Sequence, residues 1–365
     1  MSTRTTTTTN RGSSTTSTTL SSPSSIIVCS AMASVPLSAA VSSISANLPA
    51  YAPSILGGLS IGLLAVAQLA IGGRVLGISG AVRGIVSAPL SMDRNQVFRY
   101  LFVGGLLAGG ILLPYLPGGA TATAASLSAS RVATAGLLVG VGTSLSNGCT
   151  SGHGICGMSR LSARSILSTC IFMLFGALAV SLLSGAQSVG LPAGFIVPAV
   201  DQALTKLATG VFYSTVAFLG AVTAAIKASA SDGGKSVPAL ENVANFGTGV
   251  LFALGLAVSG MLDAGKVIGF LSILSGTWDA SLAFVMGGAL CVSLPLYQLV
   301  LSKFGMRQPL ACDAFNLPST KEITTSLVTG SAIFGVGWGL AGVCPGPALA
   351  NLNGLFVATM AVGML

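Results

Sequence analysis

The chain has 365 residues, 52% of them hydrophobic and only 7% charged, with 16 Lys/Arg against 8 Asp/Glu for a formal net charge of +8. A soluble globular protein carries about 25% charged residues, so the composition excludes a soluble enzyme, a nucleic-acid binder and a coiled coil. The positive surplus reads instead as membrane topology and lipid contact. Gly supplies 48 residues with no triplet period, which excludes collagen and fits helices packed closely in a bilayer.

Residues 1–25 form a Ser/Thr tract with Arg4 and Arg11 and no acidic residue. With almost nothing apolar to bury, this reads first as a disordered tail; its basic, Ser-rich character also resembles an organellar targeting segment. Residues 26–41 are too polar to span. The predicted organisation is a tail over 1–50, a first transmembrane repeat over 51–229, a polar linker over 230–242 and a second repeat over 243–365.

Beyond Tyr51, nine stretches nearly free of Asp, Glu, Lys and Arg follow in order: 55–72, 98–115, 132–147, 165–185, 207–226, 243–262, 281–301, 324–342 and 346–364. Most approach the ~20 residues that a ~30 Å hydrocarbon core requires, and in lipid only helices satisfy their own backbone at this length. The prediction is an all-α integral membrane protein of about nine transmembrane helices. Arg74, Arg83, Arg94, Arg99, Arg160, Arg164, Lys227, Lys235, Lys303, Arg307 and Lys321 fall in odd-numbered loops, against Arg131, Lys206 and Lys266 in even ones. The positive-inside rule then puts the odd loops and the C-terminus in the cytoplasm and the tail outside.

The chain also repeats itself. Gly73-Arg74-Val75-Leu76-Gly77 matches Gly265-Lys266-Val267-Ile268-Gly269, and Phe102–Gly105 resembles Val285–Gly288, with Pro114 and Pro295 following. Gly140-Val141-Gly142, Leu145 and Cys149 match Gly335-Val336-Gly337, Leu340 and Cys344. Five spans precede the restart, so the second copy must be inverted, a transporter plan in which sites form where matching broken segments meet near the midplane.

The matching segments are two Cys loops. Asn147–Gly157 holds four Gly, a poor helix by propensity, and is predicted to re-enter the membrane and line a path, since irregular backbone at that depth needs protein or a water-filled cavity around it. Its free N–H groups can receive an anion. In the second loop, Pro345 and Pro347 stop one helix and start another, which places Cys344 at a helix N-terminus. Cys149, His153 and Cys156 follow C-x3-H-x2-C, not a common zinc spacing; no metal and no cofactor is assigned. His153, the only His, either donates to an anion or shuttles a proton, or it caps a carbonyl within the loop. Asp263, Lys266 and Asp279 read as local anchors, and Cys29, Cys170, Cys291 and Cys312 as packing or tail residues.

GCTSGHGICGMSRLSARS at 148–165 and GWGLAGVCPGPAL at 337–349 resemble the paired signatures of the YeeE/YedE sulfur-transport family. SGMLDAGKVIGFL at 259–271 and WDASLAFVMGGAL at 278–290 are similar to a component that some bacteria encode separately, so two components look fused. The resemblance, over about 54–364, implies an importer of reduced inorganic sulfur rather than an enzyme, thiosulfate being the best-known substrate, with an inverted-repeat helical fold and Cys along a narrow path. By motif match Cys149 and Cys344 take those roles, and Cys156 also falls in the motif; a further pathway Cys of the thiosulfate branch has no match here. Asn147, Gly148, Thr150, Ser151, His153 and Gly346 complete the predicted substrate-binding set.

A thiosulfate dianion suits neutral donors, and a protonated thiol is a weak donor matched to a soft sulfur. The expected partners are a sulfane-sulfur anion, the bilayer and a soluble sulfur-accepting protein, with no nucleic acid. The membrane is a plasma membrane or a plastid or mitochondrial inner membrane. A membrane sulfurtransferase with a Cys149 persulfide, or a non-sulfur anion channel, stand as the other readings.

Overall fold

In lipid every backbone N–H and C=O must pair within the chain, and a helix closes those bonds locally. The computed structural model describes residues 45–116, 127–183, 194–231, 237–275, 277–302, 305–318, 320 and 322–365; the expectations for residues 1–44, Cys29 included, lie outside them. Six described helices are long and apolar enough to cross a membrane. They are α1 (Ala52–Gly72), α3 (Arg94–Leu112) with its 3-10 extension, α5 (Ala163–Leu182), α6 (Gln202–Ser231), α7 (Val237–Val258) and α9 (Ser281–Leu301). Helix α4 (Ala129–Ser146) meets a π-helical segment, Thr150–Gly157, at a 43° bend, and the pair makes a seventh crossing if taken together. Shorter helices are α2 (Ile78–Ser87), α8 (Ala264–Leu271), α10 (Thr325–Ala341), α11 (Pro345–Ala350) and α12 (Gly354–Met364). One parallel pair of three-residue strands, β1 (Gly194–Ile196) and β2 (Thr277–Asp279), is the sole ladder among the described residues. The protein is an all-α integral membrane protein.

Three predicted elements differ. The stretch 346–364 is not one span: α11 closes at Asn351, Leu352 turns left-handed (φ 54°), and Asn353 caps α12 by accepting from the Phe356 N–H at 3.2 Å. The glycine-rich 150–157 is helical after all, in the wide π form often seen at functional sites. Gly157 is needed for contact, since a methyl group there would run into Ser165. The polar stretch 230–242 is mostly helix too, because α6 reaches Ser231 and α7 begins at Val237.

The same element order runs twice: α1 to α5 with the π segment, then α7 to α12 with α11 in the π segment's place. Packing is reciprocal. Helix α1 lies against α9 and α7 against α3, α5 lies against α10 and α12 against α4, while α4 packs on α10 and α1 on α7. Close approach depends on small residues. At the α3–α7 crossing a methyl group on Gly105 or Gly249 would strike the facing backbone, as one on Gly58 would where α1 meets α9.

The C-terminus of α1 is capped from elsewhere in the chain. Its last carbonyls lack intrahelical partners, and Ala70, Ile71 and Gly73 receive the N–H groups of Leu310, Ala311 and Asn316, at 2.9, 3.0 and 2.7 Å. Gly72 O accepts from Cys312 Sγ at 3.1 Å. Just beyond, the α7 carboxylate of Glu241 is buried between Arg74 (2.9 Å) and Arg94.

Candidate functional site

Each Cys loop is built by the same local steps. Helix α4 ends on Asn147 (φ 61°), and α10 ends on Gly342 (φ 66°), both left-handed. Gly and Asn tolerate that conformation best. Two residues later the backbone is extended at Cys149 and at Cys344, and each begins a new helical segment as its N-cap without spending its side chain on a capping bond. Both thiols are thereby freed to face inward. Pro at the first and third positions of α11 removes two N–H groups and leaves Gly346 as the free backbone donor of that turn.

The two thiols line one cavity of about 50 Å³, far below the ~300–1,000 Å³ of a drug-sized pocket, so only a small ligand suits it. Cys149 is 1% exposed and Cys344 2%. Cys149 Sγ lies 3.3 Å from Ser151 Oγ, and Thr150 Oγ1 donates to Cys344 Sγ at 3.7 Å, so the first loop reaches across to the second. Gly346 completes the polar lining, Met261, Met286 and apolar side chains close the rest, and among the described residues no Lys, Arg, Asp or Glu lines it. Trp338 also lines this cavity, and its buried indole Nε1–H faces the Cys344 thiol without a well-formed hydrogen bond among the described residues. A methyl group on Gly346 would approach Ile78 Cδ1 to 2.7 Å, so the end of that side chain would have to move to admit it.

Of the nine predicted site residues, Cys149, Thr150, Ser151, Cys344 and Gly346 meet in this cavity. Asn147, Gly148 and His153 instead line a second, larger cavity of about 440 Å³, formed also by Arg74, Arg99, Arg160 and Arg164. His153 is a brace there. Its Nε2 lies 3.2 Å from the Ser146 carbonyl, an acceptor only, so Nε2 carries the proton and Nδ1 accepts from Ser165 Oγ at 3.1 Å. The carbonyl-capping alternative is the one adopted, because the ring folds back beneath Gly148. Cys156 lines neither cavity: it is fully buried and donates to the Leu76 carbonyl at 3.2 Å, pinning the π segment to the chain before α2. Among the described residues no three of His, Cys, Asp and Glu come together to hold a metal. Asp263 and Asp279 are local caps, accepting from the N–H groups of Gly265 and Ser281 at 2.8 Å each. Trp338 and Arg160 were not singled out by the sequence; the available signal was an indole three residues into a Gly-rich helix end, whose N–H needs a partner when buried.

Residues 5–179 match the family model described as sulphur transport, and residues 240–365 match that of a family of unknown function, DUF6691. A probable transporter of Xylella fastidiosa strain 9a5c is 48% identical over 123 residues, which is 32% of this chain and 82% of the relative. A second probable transporter, from strain Temecula1, is 40% identical over 122 residues, covering 33% of this chain and 87% of its own length. Identity at that level across most of a relative's length, with the first Cys loop inside the sulphur-transport match, shows that the chain belongs to the YeeE/YedE sulphur-transport family.

Proposed function

We propose that the protein is a membrane transporter that carries thiosulfate, or a closely related sulfane-sulfur anion, through the thiol-lined cavity without covalent exchange. One observation carries the reading: two buried thiols, one from each broken segment, share a small uncharged cavity with an indole N–H whose interaction is with the weakly accepting Cys344 sulfur. A thiol is a weak acceptor for a buried N–H, and an anion supplies a stronger one. Fixed charge inside this buried cavity would hold a dianion too firmly for passage, whereas neutral donors bind and release. Thr150, Ser151 and the Gly346 N–H would face the oxygens, and the two thiols and Met286 the soft sulfur. The relatives' description as probable transporters and the sulphur-transport match support the class. The recurring element order and reciprocal helix packing support an inverted repeat. Two family models on separate segments support a fusion of two components.

The test is uptake of labelled thiosulfate into proteoliposomes by wild type, Cys149→Ser and Cys149→Ala. Uptake by wild type with a loss of at least tenfold in Cys149→Ala is expected. Equal uptake by all three would remove the thiol from the path, and a sulfur adduct trapped on Cys149 during turnover would replace relay by persulfide transfer.

A further inference from the structure

Among the described residues, the larger cavity is lined by four arginines and by no Asp or Glu. A cleft of one sign focuses its field and concentrates counter-ions. Three of its guanidinium groups are already engaged. Arg74 pairs with Glu241 and donates to Asn95 Oδ1, both at 2.9 Å; Arg99 donates to Gln96 Oε1 at 2.7 Å; and Arg164 donates to the carbonyls of Glu322 and Ser146, at 2.8 and 3.3 Å. Arg160 differs. Its Nε is buried and has no hydrogen-bond partner among the described residues, and the two ion pairs found among them both go to Glu241.

The chain positions this free fork. The Arg160 N–H bonds back to the Cys156 carbonyl at 3.2 Å, and the next residue, Leu161, is held left-handed at φ 54°. That backbone is uncommon for Leu and persists where surrounding structure imposes it. The facing wall is open, since at Gly77, Gly80 and Gly152 nothing lies within 4 Å of where a Cβ would be. A planar guanidinium takes two oxygens of a tetrahedral oxoanion at once.

The geometry points to a second anion site, in which Arg160 binds the oxygens of a free tetrahedral inorganic oxoanion at the Arg-lined mouth, apart from the thiol cavity. This deepens the transport reading and rests on it: oxygens are held at the mouth, and sulfur is recognised by the thiols. Arg160 does not distinguish thiosulfate from sulfate, so sulfate is both ligand and probe here. A lipid phosphate offers the same oxygens, and the test separates the two sources.

Binding of inorganic sulfate to the purified full chain is measured calorimetrically at low ionic strength, in nanodiscs of neutral lipid and of anionic lipid. Wild type binds in both. Arg160→Gln weakens binding at least tenfold and Arg160→Lys by less, since the point charge remains without the fork. Gly80→Asp, which adds a carboxylate to open space in the wall at a helix start that accepts Asp, weakens binding with Arg160 intact. Wild-type affinity in both Arg160→Gln and Gly80→Asp overturns the proposal, as does a folded wild type that binds no sulfate. Binding confined to neutral lipid reassigns the site to a lipid headgroup. Sulfate binding involves no thiol chemistry, so Arg160-dependent binding beside uptake indifferent to Cys149 would sink the thiol path and leave this site standing.

Discussion

Trp338 stacks on Phe334 and meets Phe172 edge-on, so its ring is fixed while its N–H lies against the Cys344 thiol in the cavity. Trp338→Phe keeps most of the ring packing and removes the donor. A hydrogen bond to a charged group contributes about 1.5–3 kcal/mol, so the thiosulfate concentration giving half-maximal uptake should rise at least tenfold. The thermal unfolding midpoint in detergent should not fall much, because the Cys344 sulfur is a weak acceptor and little is lost with the donor. An unchanged concentration dependence would mean that the indole faces no anion. The two thiols were legible in the sequence because Gly and Pro punctuation around Cys149 and Cys344 fixes where each helix must break. Cys156 was expected beside the other two thiols and His153 was left between two roles, because spacing within a π segment does not say which side faces the cavity. The backbone turn sends Cys156 to the Leu76 carbonyl and His153 to Ser146.

Glu241 shows how elements from separate parts of the chain are tied. It projects from α7 between Arg74, at the end of α1, and Arg94, at the start of α3, and its side chain is 4% exposed. Arg74 also lies over the Phe98 ring at 5.2 Å. Breaking a buried pair by removing one partner costs about 3–5 kcal/mol, so Glu241→Gln should lower the unfolding midpoint in detergent markedly. Arg94→Gln should lower it much less, since Arg94 is 48% exposed and water takes over its role. Equal effects would mean that the pair is not acting as a buried one. Helices as a class were plain from apolar run length, but their breaks were not. The run 346–364 hides Asn351–Asn353, whose caps divide it, and hydropathy does not register a cap. Glu241 was likewise invisible as a network, because its partners lie 147 and 167 residues away.

At the scale of the molecule, the two family matches end and begin on either side of α6, and each Xylella relative spans about a third of this chain. Reciprocal packing has a thermodynamic consequence: α1 lies against α9 and α3 against α7, so neither half can cover its own interface, and each should need the other. Cutting the chain in the gap between Ser231 and Val237 leaves every one of these packings in place. Two polypeptides, 1–233 and 234–365, expressed together should therefore copurify from detergent and take up thiosulfate as the intact chain does. Either piece expressed alone should be degraded or aggregate, since its Gly-lined faces and half of the thiol cavity would be uncovered. Glu241→Gln in the second piece should reduce copurification, because Arg74 and Arg94 are then on a different polypeptide from their partner. Recovery of each half as a folded monomer would show instead that the shared faces contribute little, and that the joining of the halves within one chain is what holds the cavity closed.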